Sequence, residues 1–110
     1  TDAGVGSAIT NADYIAEGAG SFVFFAIVFT QKNPILIAVG LLIGILIASI
    51  ASQSHLNPAI STVSYIKGDM SGEVAVGYIV SQLIGAYAAY QFSEIIGEKN
   101  NIKPEINFNL

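Results

Sequence analysis

Three long runs of this chain carry no ionic side chain: residues 18–31, 33–66 and 74–93. They hold nearly all of its apolar content, and short polar turns separate them. The first run predicts a helix over about 13–30, with Asn11 or Asp13 as its N-cap. It ends at Gln31-Lys32-Asn33-Pro34, where the residue before a proline disfavours helix and the proline itself suits the first turn of the next one. The second helix is expected over 34–51. It is apolar on every face, a pattern that means burial or lipid. A helix of that length rises about 26 Å, short but sufficient for a membrane span.

The polar stretch Ser52-Gln-Ser-His-Leu-Asn-Pro-Ala59 still lies inside the uncharged run. A helix over 58–67 would rise only about 15 Å, half of a hydrocarbon core. Lys67-Gly-Asp-Met-Ser-Gly72 reads as a turn, with Gly68 as a C-cap candidate. The last full helix is expected over 72–92, capped near Ser71, with Glu73 in the first turn where the helix dipole favours an anion. By hydropathy over a window of about 19 residues this helix is expected to qualify as a span unaided. Residues 93–110, polar, Asn-rich and carrying Pro104, read as a tail or linker, and 1–92 as a single membrane unit. The alternative for the helical part is a buried all-α soluble domain.

Small residues recur every fourth position. Gly40, Gly44, Ala48 and Ser52 form one row, and Gly77, Ser81, Gly85 and Ala89 another; Ala16 and Gly20 pair on the first helix. In lipid such rows let helix backbones approach closely, since hydrophobic drive between helices is slight. Tight backbone packing is expected along both rows.

Composition sharpens the choice between membrane and soluble core. The 110 residues are 53% hydrophobic and 11% charged, with mean hydropathy +0.63. A soluble domain carries about 25% charged residues. We therefore read the chain as an all-α, multi-pass integral membrane protein: three transmembrane helices plus one re-entrant half helix. Its partners are the lipid bilayer and either further copies of itself or a larger membrane complex. Four lysines and no arginine exclude a basic nucleic-acid surface. The absence of cysteine removes thiolate metal sites and cysteine nucleophiles, and one histidine cannot build a polyhistidine centre. No metal or other cofactor is expected. Glu17 and His55 form no nucleophile–base–orienter set, so an enzyme is not expected. The chain begins with Thr, which points to processing or truncation.

The chemistry concentrates at Asn57-Pro58-Ala59, the start of the short helix. Asn57 can cap, Pro58 needs no N–H partner at the first helical position, and the helix end carries partial positive charge. If the helix dips halfway into the bilayer, this end lies near the midplane. Irregular backbone is tolerated there only inside protein or along a wet cavity. The carbonyls of 52–56 would then be solute acceptors and the Asn57 amide a donor. A carboxylate within a membrane is costly and usually paired, so Glu17 has its natural partners in a serine or backbone N–H of 52–56. The plainer readings are a surface position for Glu17, a neutral, satisfied His55, and a simple cap at Asn57. Tyr65, Tyr78, Tyr87 and Tyr90 read as interface or packing aromatics.

His55-Leu-Asn-Pro-Ala-Ile-Ser61 resembles the first signature of the aquaporin, or major intrinsic protein, family, His-x-Asn-Pro-Ala-Val-Thr. Ala16-Glu-Gly-Ala-Gly-Ser-Phe22 resembles that family's first-helix Ala-Glu-x-x-Gly-Thr, and Gln82-Leu-Ile-Gly-Ala86 its third-helix Gln-x-x-Gly-Ala. The three matches fall in order between residue 13 and about 92, and together resemble the first of the family's two inverted repeats. The resemblance implies that Asn57, Pro58, Ala59 and His55 line a pore, with Asn57 donating to solute at the midplane. It implies that Glu17 ties down the re-entrant loop, while Gly40, Gly44, Gly77, Ser81 and Gly85 remain packing positions.

Two departures bear on this. Gln53 and Ser54 stand where the family usually has two glycines, so the loop path is in question. The arginine that follows the family's second Asn-Pro-Ala has no counterpart. The function implied is a passive channel for water or a small neutral solute. Its pore would form only with a second, antiparallel copy or with a missing second repeat. The alternative is a non-conducting structural subunit of a larger membrane assembly.

Overall fold

The computed structural model describes residues 11–100, with side chains through residue 97. Residues 1–10, and the part of the expected tail over 101–110, lie outside the described residues. Within them the chain forms four helices: α1 Asn11–Thr30, α2 Pro34–Ala48, α3 Pro58–Ile66 and α4 Gly72–Asn100. α1 lies between α2 and α4, and α3 rests on α4.

Each boundary has a local cause. α1 is already helical at Asn11, so Asp13 stands in its first turn and not at a cap. At α2 the Asn33 side chain accepts from the backbone N–H of Ile35 at 2.8 Å, and Pro34 occupies the first turn. α2 ends at Ala48, three residues before the expected 51, because the backbone tightens. Ile50 and Ala51 donate three residues back, to Ile47 and Ala48, at 3.3 and 3.1 Å. α3 stops one residue short of the expected 67. Gly68 follows at φ +85°, and its N–H returns to the Tyr65 carbonyl at 3.0 Å. Ser71 heads α4, its hydroxyl accepting from Val74 N–H at 3.3 Å.

α4 departs most from expectation, since residues 93–100 are helical rather than the start of a tail. Ser93-Glu-Ile-Ile-Gly-Glu contains no proline, and the exposed Glu94 is a good helix former; the next proline is Pro104. The 29 residues of α4 rise about 43 Å.

By length and apolar composition only α1 qualifies as a membrane span among the described helices. α2 is apolar throughout but has 15 residues. α4, expected to qualify unaided, is diluted by Ser81, Gln82, Gln91 and Ser93. Two of these, Gln82 and Ser93, are each 1% exposed. Part of the polarity that lowers its hydropathy therefore points inward, while Gln91 is exposed. The same inversion holds across the fold. Asp13, Glu17, Ser21, Ser52, His55 and Ser61 are buried, while Ile15, Ile35, Ile50 and Ile66 are at least 70% exposed. A surface this apolar suits hydrocarbon rather than water. Among the described residues a small apolar cluster is buried: Met70, Val74, Ala75 and Tyr78, with Tyr14 edge-on to Tyr78.

The small-residue rows are contact surfaces, with two kinds of partner. At the α1–α2 crossing a Cβ on Gly20 would lie 2.6 Å from the Gly44 carbonyl oxygen, and one on Gly44 would lie 2.7 Å from the Gly20 oxygen. A side chain on either glycine would collide with the other's backbone. Gly85 meets the Gly18 carbonyl of α1 in the same way. Gly40 and Gly77 instead receive side chains, Ile27 and the Tyr14 ring. Ser81 is half-buried, and its carbonyl faces Gly18.

Candidate functional site

The segment between α2 and α3 is irregular and yet held along its length. Ser52 and His55 are buried, and Leu56 is 2% exposed. Leu56 supplies the wedge: its two methyl carbons lie 3.0 and 3.1 Å from where Cβ atoms on Gly20 and Gly44 would stand. The two glycines thus make room for each other's backbone and for this side chain.

Two turns make the path possible. Ser54 and Leu56 sit at φ +57° and +56°, in the left-handed region. That conformation costs an L-residue about 1–2 kcal/mol. Local bonds offset it. Ser54 N–H donates to Ser52 Oγ at 3.0 Å, and Ser54 Oγ donates to the Ile45 carbonyl of α2 at 2.9 Å. Leu56 N–H donates to Glu17 Oε1 at 2.9 Å. The loop keeps a glycine-like turn at position 54 without the glycine.

Glu17, fully buried on α1, collects four donors. Oε2 accepts from Ser52 Oγ at 2.6 Å and His55 N–H at 3.1 Å. Oε1 accepts from Leu56 N–H and Gln82 Nε2, both at 2.9 Å. Four donors match the four lone-pair sites of a carboxylate. Such a complement is what an acidic group needs to stay away from water.

The network continues past the carboxylate. Gln82 Nε2 also donates to Ser61 Oγ at 3.0 Å, and Ser61 Oγ lies 2.8 Å from His55 Nδ1. Tyr78, fully buried, accepts from Gln53 N–H at 3.2 Å, and its ring centroid is 5.1 Å from that of His55. Tyr78 therefore holds the loop as well as packing. Gln82 Oε1 and Ser21 Oγ are buried without a partner among the described residues.

The structure brings Glu17 and His55 into one network with Ser52, Ser61 and Gln82. Asn57 stands apart from it. Its side-chain oxygen caps α3, accepting from Ala59 N–H at 2.8 Å, and Asn57 itself is exposed. The amide nitrogen has no acceptor among the described residues. Pro58 is half-buried and Ala59 exposed. Residue-by-residue reading missed Tyr78, Gln82 and Ser61 as parts of this network. For Gln82 a signal was present: an amide amid an apolar run must find a partner inside the protein.

A family model described as "Major intrinsic protein" matches residues 3–107. A curated relative, "Glycerol uptake facilitator protein-like 6" of Lactiplantibacillus plantarum, is 36% identical over 86 residues. The match covers 69% of this chain and 39% of the relative, so the chain spans about two fifths of that protein's length. No solved structure matches.

Proposed function

Since the chain belongs to the major intrinsic protein family, we propose that it forms half of a passive membrane channel for water or a small neutral solute. α1, α2 and α4 are the three spans in this reading, and α3 is the re-entrant half helix. The membrane unit covers residues 1–92. The helical residues 93–100 extend α4 beyond it, and the tail follows.

The observation that carries the reading is the start of α3. A helix of nine residues rises about 13 Å and cannot cross a bilayer. It opens on an irregular segment tethered inside the protein by Glu17, as backbone at membrane depth requires. At its head Asn57 spends its oxygen on the cap and keeps two N–H donors for solute. Pro58 and Ala59 would meet the opposing half helix, and His55 would line the approach. Glu17 would anchor the loop, and Gly40, Gly44, Gly77, Ser81 and Gly85 would close the helix packing.

In this reading the pore is not closed by one copy alone. Ile60, Val63 and Ile66, on the side of α3 away from α4, are 47%, 52% and 73% exposed. A second, antiparallel copy or a second repeat would cover them and close the pore.

The test is stopped-flow light scattering on proteoliposomes under water and glycerol gradients. The proposal expects permeability above that of protein-free vesicles, falling when Asn57 is replaced by a bulky residue such as Phe. Permeability at the lipid background in every preparation would overturn it and leave the non-conducting structural subunit.

A further inference from the structure

The hydrogen bonds around Ser61 have a direction, and it can be followed from the carboxylate outward. Glu17 Oε1 faces the Gln82 amide at 2.9 Å. An amide oxygen there would oppose a carboxylate oxygen, so the nitrogen must face Glu17. The amide's other end shows the cost of this orientation, for Oε1 is left buried without a partner among the described residues. The second N–H of Gln82 then donates to Ser61 Oγ at 3.0 Å.

Ser61 is fully buried, and its hydroxyl has one proton to give. The acceptor within reach is His55 Nδ1, at 2.8 Å. Were Nδ1 protonated, Ser61 would face two donors, and its own proton would lack an acceptor in a site closed to water. The polarity therefore runs from Gln82 to Ser61 to Nδ1, with Nδ1 bare. Nε2 must then carry the ring proton of the neutral imidazole. Nε2 has no partner among the described residues.

We propose that Glu17, through Gln82 and Ser61, fixes His55 as the neutral Nε2–H tautomer, so that His55 offers a passing solute a hydrogen-bond donor and not an acceptor. Glu17, Gln82 and Ser61 are positioning residues in this scheme, and His55 is the residue that meets solute. The consequence for solute depends on the channel reading above; the tautomer does not. With the Asn57 amide two residues on, the approach to α3 presents donors at both positions. Solutes bearing an accepting oxygen, such as water and polyols, are matched to it.

His55 is the sole histidine, so ring-15N labelling gives an unambiguous signal. Solid-state NMR in lipid bilayers near neutral pH should show a protonated Nε2 and a bare Nδ1, with the opposite tautomer rarer by about tenfold or more. Ser61→Thr keeps the hydroxyl and should keep that excess. Ser61→Ala removes Nδ1's partner and should bring the ring to a mixture. Gln82→Leu leaves the Ser61–His55 contact but removes its upstream donor, and should erode the excess as well. A protonated Nδ1 in the unmodified protein would overturn the proposal, as would an excess unchanged in both Ser61→Ala and Gln82→Leu. No transport enters this measurement. A non-conducting protein with the Nε2–H tautomer sinks only the channel, and a conducting one with Nδ1–H sinks only this inference.

Discussion

Replacing Glu17 with Gln and with Ala should give two very different losses of stability, and the difference can be worked from the donors. In Glu17→Gln one carboxylate oxygen becomes an NH2 group. Suppose it takes the Oε2 side, facing Ser52 Oγ and His55 N–H. Ser52 lies 3.0 Å from the Ala48 carbonyl, so its hydroxyl can turn there and accept from the new amide. His55 N–H and the second amide hydrogen that now faces it are then left unpaired, at about 1–3 kcal/mol each, with the side-chain volume kept. On the Oε1 side the loss is larger, because a flip of Gln82 would end its donation to Ser61 and place its NH2 where its Oε1 now lies buried without a partner among the described residues. In Glu17→Ala no rearrangement helps. Ser52 recovers, but His55 N–H, Leu56 N–H and one N–H of Gln82 lose their acceptor, for about 3–9 kcal/mol before any cavity is counted. That is comparable with the whole stability of a typical domain, about 5–15 kcal/mol. The assay is reversible unfolding in mixed micelles with increasing SDS, followed by circular dichroism. Glu17→Gln should remain folded with a reduced midpoint, while Glu17→Ala should be largely unfolded or fail to accumulate. Losses within about 1 kcal/mol of each other would refute the donor count.

Three further outcomes follow from the same geometry. Ser54→Ala should cost about 1 kcal/mol by losing the bond to Ile45 O. Ser54→Gly loses the same bond but relieves the left-handed turn and should be about neutral, so SDS unfolding should rank Gly above Ala. Gly44→Ala sets a methyl group against the Gly20 carbonyl and should cost about 1–3 kcal/mol; a midpoint unchanged in the same titration would contradict the close crossing. Asn57→Asp keeps the cap on Ala59 N–H but exchanges the amide donors for negative charge. Fold and midpoint should be retained while water or glycerol flux falls and cation leak rises, read by stopped flow and a potential-sensitive dye; unchanged flux would reduce Asn57 to a cap.

The helices were legible where local chemistry decides them. Asn33-Pro34 and Asn57-Pro58 each combine a cap with a proline at the first helical position, and both helices start there. Gly68 was legible as a terminator because a left-handed residue was needed after α3. What escaped depends on residues far apart in the chain. Nothing near Tyr78 says that its hydroxyl will meet Gln53 N–H, 25 residues earlier. The rows of small residues could be read as close contacts, but not which would face backbone and which would face Ile27 or Tyr14. The end of α4 was misplaced because polarity was taken for the end of the helix, whereas Ser93-Glu-Ile-Ile is only the end of its apolar part. Ser54 raised a doubt about the loop path, and the answer lay in a bond to α2 that spacing does not reveal.

The Glu17 network also bears on the order of assembly. Its donors lie 35, 38, 39 and 65 residues along the chain. A lone α1 in a bilayer would hold its carboxylate with none of them, at a cost of a few kcal/mol for an acidic group deep in the membrane. Closing the longer loop to Gln82, once the shorter ones are closed, adds less than about 0.6 kcal/mol of entropy cost, since the length does not double. Docking the loop supplies three of the four donors, from Ser52, His55 and Leu56, and α4 adds the fourth through Gln82. Burial of one carboxylate thus ties α1, the loop and α4 to one another. Its last donor must wait until α4 has been made and inserted.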